Sequence, residues 1–356
     1  MTRLVLPTTA LAMALMVPHY SLTAAKPGNV VDLGTLGGGF SDASGINNSP
    51  SSVQIVGRST RADGFTHAFF WTAPGPMVDL GTFGGGNSFA SDINDYGQIA
   101  GASHDAARQQ WAAVWTRSSG AWIIENLGTV TGTCCAHANG INNGTAGNPA
   151  AVAVVGSSTV ASGASYAALW TRSTGGWTVQ TLGALASDVS STAYDVNDAG
   201  TVVGQSRRDN VISSPTSAFV WTAAAGMSRL PSLGGTTTSA YAINNEGQIA
   251  GSSTDASGTG HAVRWRFSSG WTIEDLGTLG GCCSDGLGIN TFGDVVGFSN
   301  VGSRSGTQKA FLARPGAAMI DFALQGQSVA RDLNDSGVIV GASGSGQSHA
   351  VLWRVP

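Results

Sequence analysis

The stretch Val31-Asp32-Leu33-Gly34-Thr35-Leu36-Gly37-Gly38 returns as VDLGTFGG at 78–85 and as EDLGTLGG at 274–281, with looser copies between. Self-alignment around it gives seven copies of a unit of about 47 residues, the period at which propellers and solenoids are expected. The clearest marker is an apolar residue followed by asparagine, at Asn47, Asn94, Asn142, Asn197, Asn244, Asn290 and Asn334. The second is Gly-x-Ser, from Gly57/Ser59 to Gly341/Ser343. The third is an aromatic-rich run ending in Trp71, Trp115, Trp170, Trp221, Trp265 and Trp353, with Ala313 in the sixth copy.

Each unit has room for four short strands. The first ends at the Ile-Asn pair, as in Phe89–Asn94. Asn-Asp-Tyr-Gly (94–97) then reverses the chain, because Asn bonds its own backbone and Gly takes positive φ. The second is Gln98–Ser103, where Ile99, Gly101 and Ser103 share a side and the small residues are expected to let neighbouring sheets approach. The third resembles His67–Trp71, and the fourth is the opening element, as in Met77–Gly81. Four antiparallel strands repeated seven times predict an all-β, seven-bladed β-propeller of four-stranded blades. The alternative is a β-solenoid, whose rungs are usually shorter and whose two ends need caps. This chain instead begins with a lone fourth strand and stops after a third, His349–Arg354. The N-terminal strand is therefore expected to complete the last blade and close a ring.

Composition agrees with many short strands. Charged residues are 11% and 51 residues are glycine, while Val, Ile, Phe and Trp gather in short runs. Seventeen Lys and Arg against twenty-one Asp and Glu give a net charge of -4 without a basic run, which argues against nucleic acid. Arg3, the apolar stretch Leu4–Val17 and the small residues Thr23, Ala24 and Ala25 have the layout of a secretory signal peptide over 1–25. That leaves 26–356 as a single propeller domain. No later segment has the roughly 20 apolar residues of a spanning helix. The expectation is a secreted or periplasmic monomer with no membrane span after signal removal.

The run DLGTLGG, then S-x-A-x-x-I-N, G-Q-I-A-G-x-S and H-A-F-x-W, resembles the HAF family of bacterial extracellular repeats over nearly all of the chain after residue 29. His67-Ala68-Phe69 matches best. His261-Ala262-Val263 and His349-Ala350-Val351 keep two residues of the three, and other units carry Trp111, Tyr166, Ser217 or Lys309 in place of the His. The resemblance implies secretion and a repeated β-fold, and no reaction.

Function on a propeller is expected where the repeat is broken. The Asn142-to-Gly156 interval is 14 residues where five units have 7, and the loop from Arg207 to Thr216 carries Arg207, Arg208 and Asp209. Cys134-Cys135 and Cys282-Cys283 are the only cysteines, in the links that lead into the third and sixth units. In an oxidising compartment four cysteines allow three pairings. Vicinal disulfides need the shortest reach and would present a stiff apolar surface to a ligand. His137 lies two residues after Cys135, but Cys-Cys-x-His lacks the spacing of a zinc knuckle. One carboxylate per turn, at Asp95, Asp198 and Asp335, is too few for a calcium cage. The candidate ligand-binding residues are Cys134, Cys135, His137, Cys282, Cys283, Arg207 and Arg208. The recurrent Asn, Trp, Gly-x-Ser hydroxyls, Asp32, Asp79, Asp275 and Asp321, and His67, His261 and His349 read as structural.

No Gly-x-Ser-x-Gly elbow, His-Glu-x-x-His, phosphate loop or dinucleotide fingerprint occurs, so neither a catalytic residue nor a cofactor is read. The expected function is a binding module for a glycan, surface component or protein. Its alternatives are a propeller lyase or hydrolase on an extracellular polymer and a passive envelope or matrix component. Converging His, Asp, Glu, Tyr or Arg at one channel mouth would favour the enzyme; Gly, Ser and cysteine rings would favour binding.

Overall fold

Each repeat folds into a four-stranded antiparallel sheet whose strands lie side by side in chain order, and seven such sheets form the propeller. The computed structural model describes residues 30–354 apart from 50–51, 133, 145–150, 210, 212–213, 303–305 and 323–325. The signal segment 1–25 and most of the Asn142-to-Gly156 insertion lie outside the described residues. Among the described residues no helix is long and apolar enough to cross a membrane.

The inner strands, blades 1 to 7, are Gly37–Ile46, Gly84–Ile93, Ala136–Ile141, Ser190–Val196, Gly234–Ile243, Ser284–Ile289 and Gln327–Leu333. Blade 7 continues through Val338–Gly344 and His349–Arg354 and takes its outer strand from the other end of the chain, Val30–Asp32. The register is Val30↔Trp353, Val31↔Leu352 and Asp32↔Val351, and the Leu33 N–H extends it to the Ala350 carbonyl at 2.9 Å. The ring is closed as the sequence led us to expect.

Seven hydrophobic cores lie between successive blades. The core between blades 7 and 1 joins Val338, Val340, Ala350 and Leu352 to Ile46, Ile55, Phe69 and Trp71, with Leu33 at its edge. Trp115, Trp170 and Trp265 are fully or almost fully buried in three others, and their indole N–H groups donate to the carbonyls of Leu80, Gly128 and Pro231 in the links. Each ring of apolar atoms thus comes with a satisfied polar tip.

The repeated polar residues fasten blade to blade. In blade 2, Ser88 donates to the Gly81 carbonyl at 2.7 Å and accepts the Ala68 N–H of blade 1 at 2.9 Å; Ser41, Ser191 and Ser284 do the same elsewhere. The Gly-x-Ser hydroxyls Ser59, Ser103, Ser253 and Ser299 accept the N–H of Leu36, Phe83, Leu233 and Leu279. Asp79 turns the opening motif by accepting the Gly81 N–H at 2.8 Å and meets His67 Nδ1 at 2.7 Å; His261–Asp275 and His349–Asp32 repeat that pair. The His of the third strand and the Asp of the fourth are one structural couple.

At one end of the channel the marker asparagines hand hydrogen bonds around the ring. Asn94, Asn142, Asn197, Asn244 and Asn334 donate from Nδ2 to the backbone carbonyls of Asn142, Asn197, Asn244, Asn290 and Asn47. One residue on, Asn48, Asp95, Asn143 and Asp198 pass their backbone N–H to the next side chain, and Asp335 returns the relay to Asn48. Carboxylates and amides largely alternate along this rim, so each acceptor meets a donor. Asp95, Asp198 and Asp335 have this bonding role.

Candidate functional site

All seven inner strands carry a β-bulge at the same register. The shifts fall between Ala43/Gly45, Ala90/Asp92, Ala138/Gly140, Ala193/Asp195, Ala240/Ala242, Gly286/Gly288 and Ala330/Asp332. A bulge turns the extra residue away from the ladder and re-aims its side chain. The seven extra residues are Ser44, Ser91, Asn139, Tyr194, Tyr241, Leu287 and Arg331, and all seven line one cup of about 450 Å³ on the channel axis. That volume lies within the roughly 300–1,000 Å³ of small-ligand sites.

The Gly of Gly-x-Ser is what permits the bulge. A Cβ at Gly101 would strike the Phe89 carbonyl and one at Gly156 the His137 carbonyl, both backbone atoms of the inner strand. The small residue therefore serves close approach within a blade, where the sequence suggested approach between sheets. Gly101→Ala is expected to cost about 1–3 kcal/mol, read by urea denaturation, because backbone must shift to admit the methyl.

Other cup residues come from the tops of the first and second strands: Asp42, Phe89, His137 and Arg58, with Gln110 from a third strand. Asp42 is buried and binds two arginines. Arg331 meets it through Nε at 3.1 Å and Nη2 at 2.9 Å, and Arg58 Nη2 stands 3.4 Å away. Arg58 also lies over the Phe40 ring, 5.6 Å from its centroid. Both guanidinium groups remain more than a third exposed, so each retains donors for a ligand. Across the cup Tyr194 and Tyr241 form a tilted pair with centroids 5.3 Å apart. Burial raises both phenols above their usual range, and Ser239 and Ser252 hydrogen-bond Tyr241. The phenols stay protonated and act as hydrogen-bonding aromatic walls.

His137 Nε2 is 3.0 Å from Ser91 Oγ on the neighbouring blade. The imidazole keeps a face on the cup but is walled in by protein, and this desolvation, then Arg58, pushes its pKa down to about 4. It is neutral at ordinary pH.

Just beneath the cup the channel narrows to a throat of about 140 Å³. The second bulge residue is alternately large and absent here: Asp92, Asp195 and Asp332 sit in blades 2, 4 and 7, with Gly45, Gly140 and Gly288 preceding them in the ring. Each aspartate accepts the N–H of its own neighbour, Ile93, Val196 or Leu333, and that of the next blade, Ile141, Ile243 or Ile46. These carboxylates keep a small window on the throat yet are surrounded by blades on every side. Desolvation accordingly dominates, moving Asp195 to about 6, Asp332 to about 7 and Asp92 well above the usual carboxylate value, the last raised further by Asp195 and Asp332. A Cβ at Gly140 would come within 2.9 Å of the Asp195 Cα, which explains the empty partner position.

Of the residues singled out in the sequence, His137 belongs to the cup. Arg207 ends the second strand of blade 4, and its charge acts on Tyr194 and Tyr241. Arg208 lies in a separate cleft of about 470 Å³ with Asp188 and Arg229. Cys134 and Cys135 lie in the link before blade 3 and Cys282 and Cys283 in that before blade 6, on the same face as the cup but outside its lining. No disulfide joins any of the four, so the expected vicinal bridges are not formed. The Cys282 and Cys283 sulfurs are 2.7 Å apart, beyond the roughly 2.05 Å of a disulfide, and both accept from Asn300 Nδ2. Burial and then the Cys282 neighbour push Cys283 up to about 11, so its thiol is poorly nucleophilic. The sequence reading missed Ser44, Ser91, Asn139, Tyr194, Tyr241, Leu287 and Arg331, which vary from blade to blade at the fourth position of S-x-A-x-x-I-N.

No family model matches the chain, and no curated protein is similar to it. Among solved structures it is similar to the β-propeller domain of the Trilobed protease from Pyrococcus furiosus, at TM-score 0.55 and 9% identity over 88% of this chain and 95% of that one. That domain is described as having an open velcro topology, whereas here Val30–Asp32 closes the ring. A puromycin-hydrolyzing peptidase from Mycobacterium tuberculosis gives TM-score 0.56 at 12% identity over 90% of this chain. An acylaminoacyl peptidase from Pyrococcus horikoshii gives 0.50 at 10% over 87%. The chain spans about half of these two, 52% of each. At such identities the likeness is one of fold.

Proposed function

We propose that this is an exported binding module that holds a glycan in the axial cup. One observation carries the reading: a bulge repeated in all seven inner strands points seven non-equivalent side chains at one volume. The Tyr194–Tyr241 pair offers apolar ring faces, and Ser44, Ser91, Gln110 and Asn139 offer hydroxyl and amide groups suited to sugar hydroxyls. Glycan-array binding of the protein, followed by calorimetric titration of the hits, tests it. Tyr194→Ala with Tyr241→Ala is expected to weaken binding at least about tenfold, and unchanged affinity would count against the cup.

A second reading rests on the Ser91–His137 contact. A neutral imidazole bonded to a hydroxyl in a pocket is the arrangement of a nucleophile and its base, and Asp42, Arg58, Tyr194 and Arg331 converge beside it, the pattern expected to favour an enzyme. Binding is put first because both arginines already engage Asp42 and an imidazole held at about 4 is a weak base. New reducing ends from a bound glycan, lost in His137→Gln, would establish an enzyme. The binding reading expects none.

A further inference from the structure

We infer that the ligand is an acidic glycan chain, recognised through a sugar carboxylate by Arg58 and Arg331. The inference rests on the cup being the binding site and adds the ligand's charge and extent.

The arginines are mounted for this task. Asp42 is buried and carries one negative charge, while the two guanidinium groups it holds carry two positive ones. The trio keeps a net positive charge at the cup wall. Asp42 fixes Arg331 by two hydrogen bonds, and Phe40 lies under Arg58, so both forks are oriented before a ligand arrives. Pre-oriented planar forks match a carboxylate in shape and charge.

Extent follows from a second cavity. A groove of about 510 Å³ runs from blade 6 past blade 7 to blade 1, lined by Phe40, Gln308, Gln327, Ser348 and the same Asp42, Arg58 and Arg331. The arginines stand where cup and groove meet. A ligand that fills both is longer than one ring, with its charged group at the junction.

The surroundings favour a sugar over an acidic peptide. In the cup the arginines face two tyrosines and short hydroxyl and amide groups, which suit sugar ring faces and sugar hydroxyls.

The test titrates the protein calorimetrically with a trigalacturonic acid, with its methyl ester and with a hexaglutamate peptide. The ester keeps the sugar and removes only the charge. The acid is expected to bind at least about tenfold more tightly than the ester, and Arg58→Gln or Arg331→Gln to abolish that preference, with Arg58→Lys retaining part of it. Melting curves of the variants confirm folding. Equal binding of acid and ester overturns the acidic-ligand inference and leaves the glycan cup standing. Tighter binding of hexaglutamate than of the acid overturns the sugar class. Absence of binding by acid and ester, with array hits confined to neutral sugars, overturns the inference as well, while an array without hits removes both readings.

Discussion

Deleting residues 26–37 is expected to lower the melting temperature by about 5–10 °C and to promote aggregation. The deletion removes three ladder pairs between Val30–Asp32 and the third strand of blade 7, together with the Leu33 N–H bond to Ala350. It also removes Leu33 from the core between blades 7 and 1, where it is 5% exposed. One buried leucine at about 2 kcal/mol and several backbone bonds at about 1 each sum to about 5 kcal/mol. Domains hold only about 5–15 kcal/mol in total, and each kcal/mol moves a chain of this size by about 2–4 °C or less. The strand His349–Arg354 would then present an unpaired edge, a template for association. Differential scanning calorimetry and light scattering read both effects, and unchanged melting would refute closure as a source of stability.

The second large effect is on pH. Asp195, Asp332 and Asp92 titrate above their unfolded value, because the throat disfavours their charged forms. The folded protein therefore binds more protons than the unfolded chain between about pH 4 and 7, and unfolding free energy falls as pH rises across that window. Stability from these groups is fully present below about pH 4 and gone once pH passes the folded values of about 6 and about 7. Exposed carboxylates held low, such as Asp105 and Asp255, act oppositely and lose stability at still lower pH. His137, held down to about 4 in the fold, offsets the part of the fall that one of the three aspartates contributes as pH rises through the unfolded value of the histidine. The optimum is expected near pH 4–5, with a loss of several kcal/mol by pH 8 at up to about 1.4 kcal/mol per proton per pH unit. Asp92→Asn, Asp195→Asn and Asp332→Asn combined should flatten the profile. Melting temperatures that hold level or rise from pH 4 to 7 in the unaltered protein would contradict it.

The sequence carried the architecture because packing repeats. Asn94 and its equivalents, Ser88, Trp115 and the Asp79–His67 couple each solve a problem every blade shares, so they recur at constant spacing. The surplus strand Val30–Asp32 was legible for the same reason. The cup was not, because strand alternation alone assigns the wrong faces past a bulge. Ser91 and Asp92 both reach the axis, one into the cup and one into the throat, and a strict period of two would send them to opposite sides. A usable signal was present three residues before each marker asparagine, where Ser, Ser, Asn, Tyr, Tyr, Leu and Arg follow one another. Rarity drew attention to the cysteines instead. The structure seats Cys282 and Cys283 in a link beside Asn300, outside the cup lining, and only His137 of that neighbourhood faces the axis. Most of the site's charge comes from Asp42, Arg58 and Arg331; only Arg331 falls on that signal, and its pairing with Asp42 joins positions 289 residues apart that only the closed ring brings together.

The most direct test of the cup is a crystal structure of the protein with a bound acidic oligosaccharide. The account predicts a sugar ring against Tyr194 and Tyr241, its carboxylate on Arg58 or Arg331, and further residues of the chain in the groove beside Phe40. A ligand seated on the outer links at Cys282–Cys283 or in the cleft at Arg208, with the axial cup left empty, would contradict it.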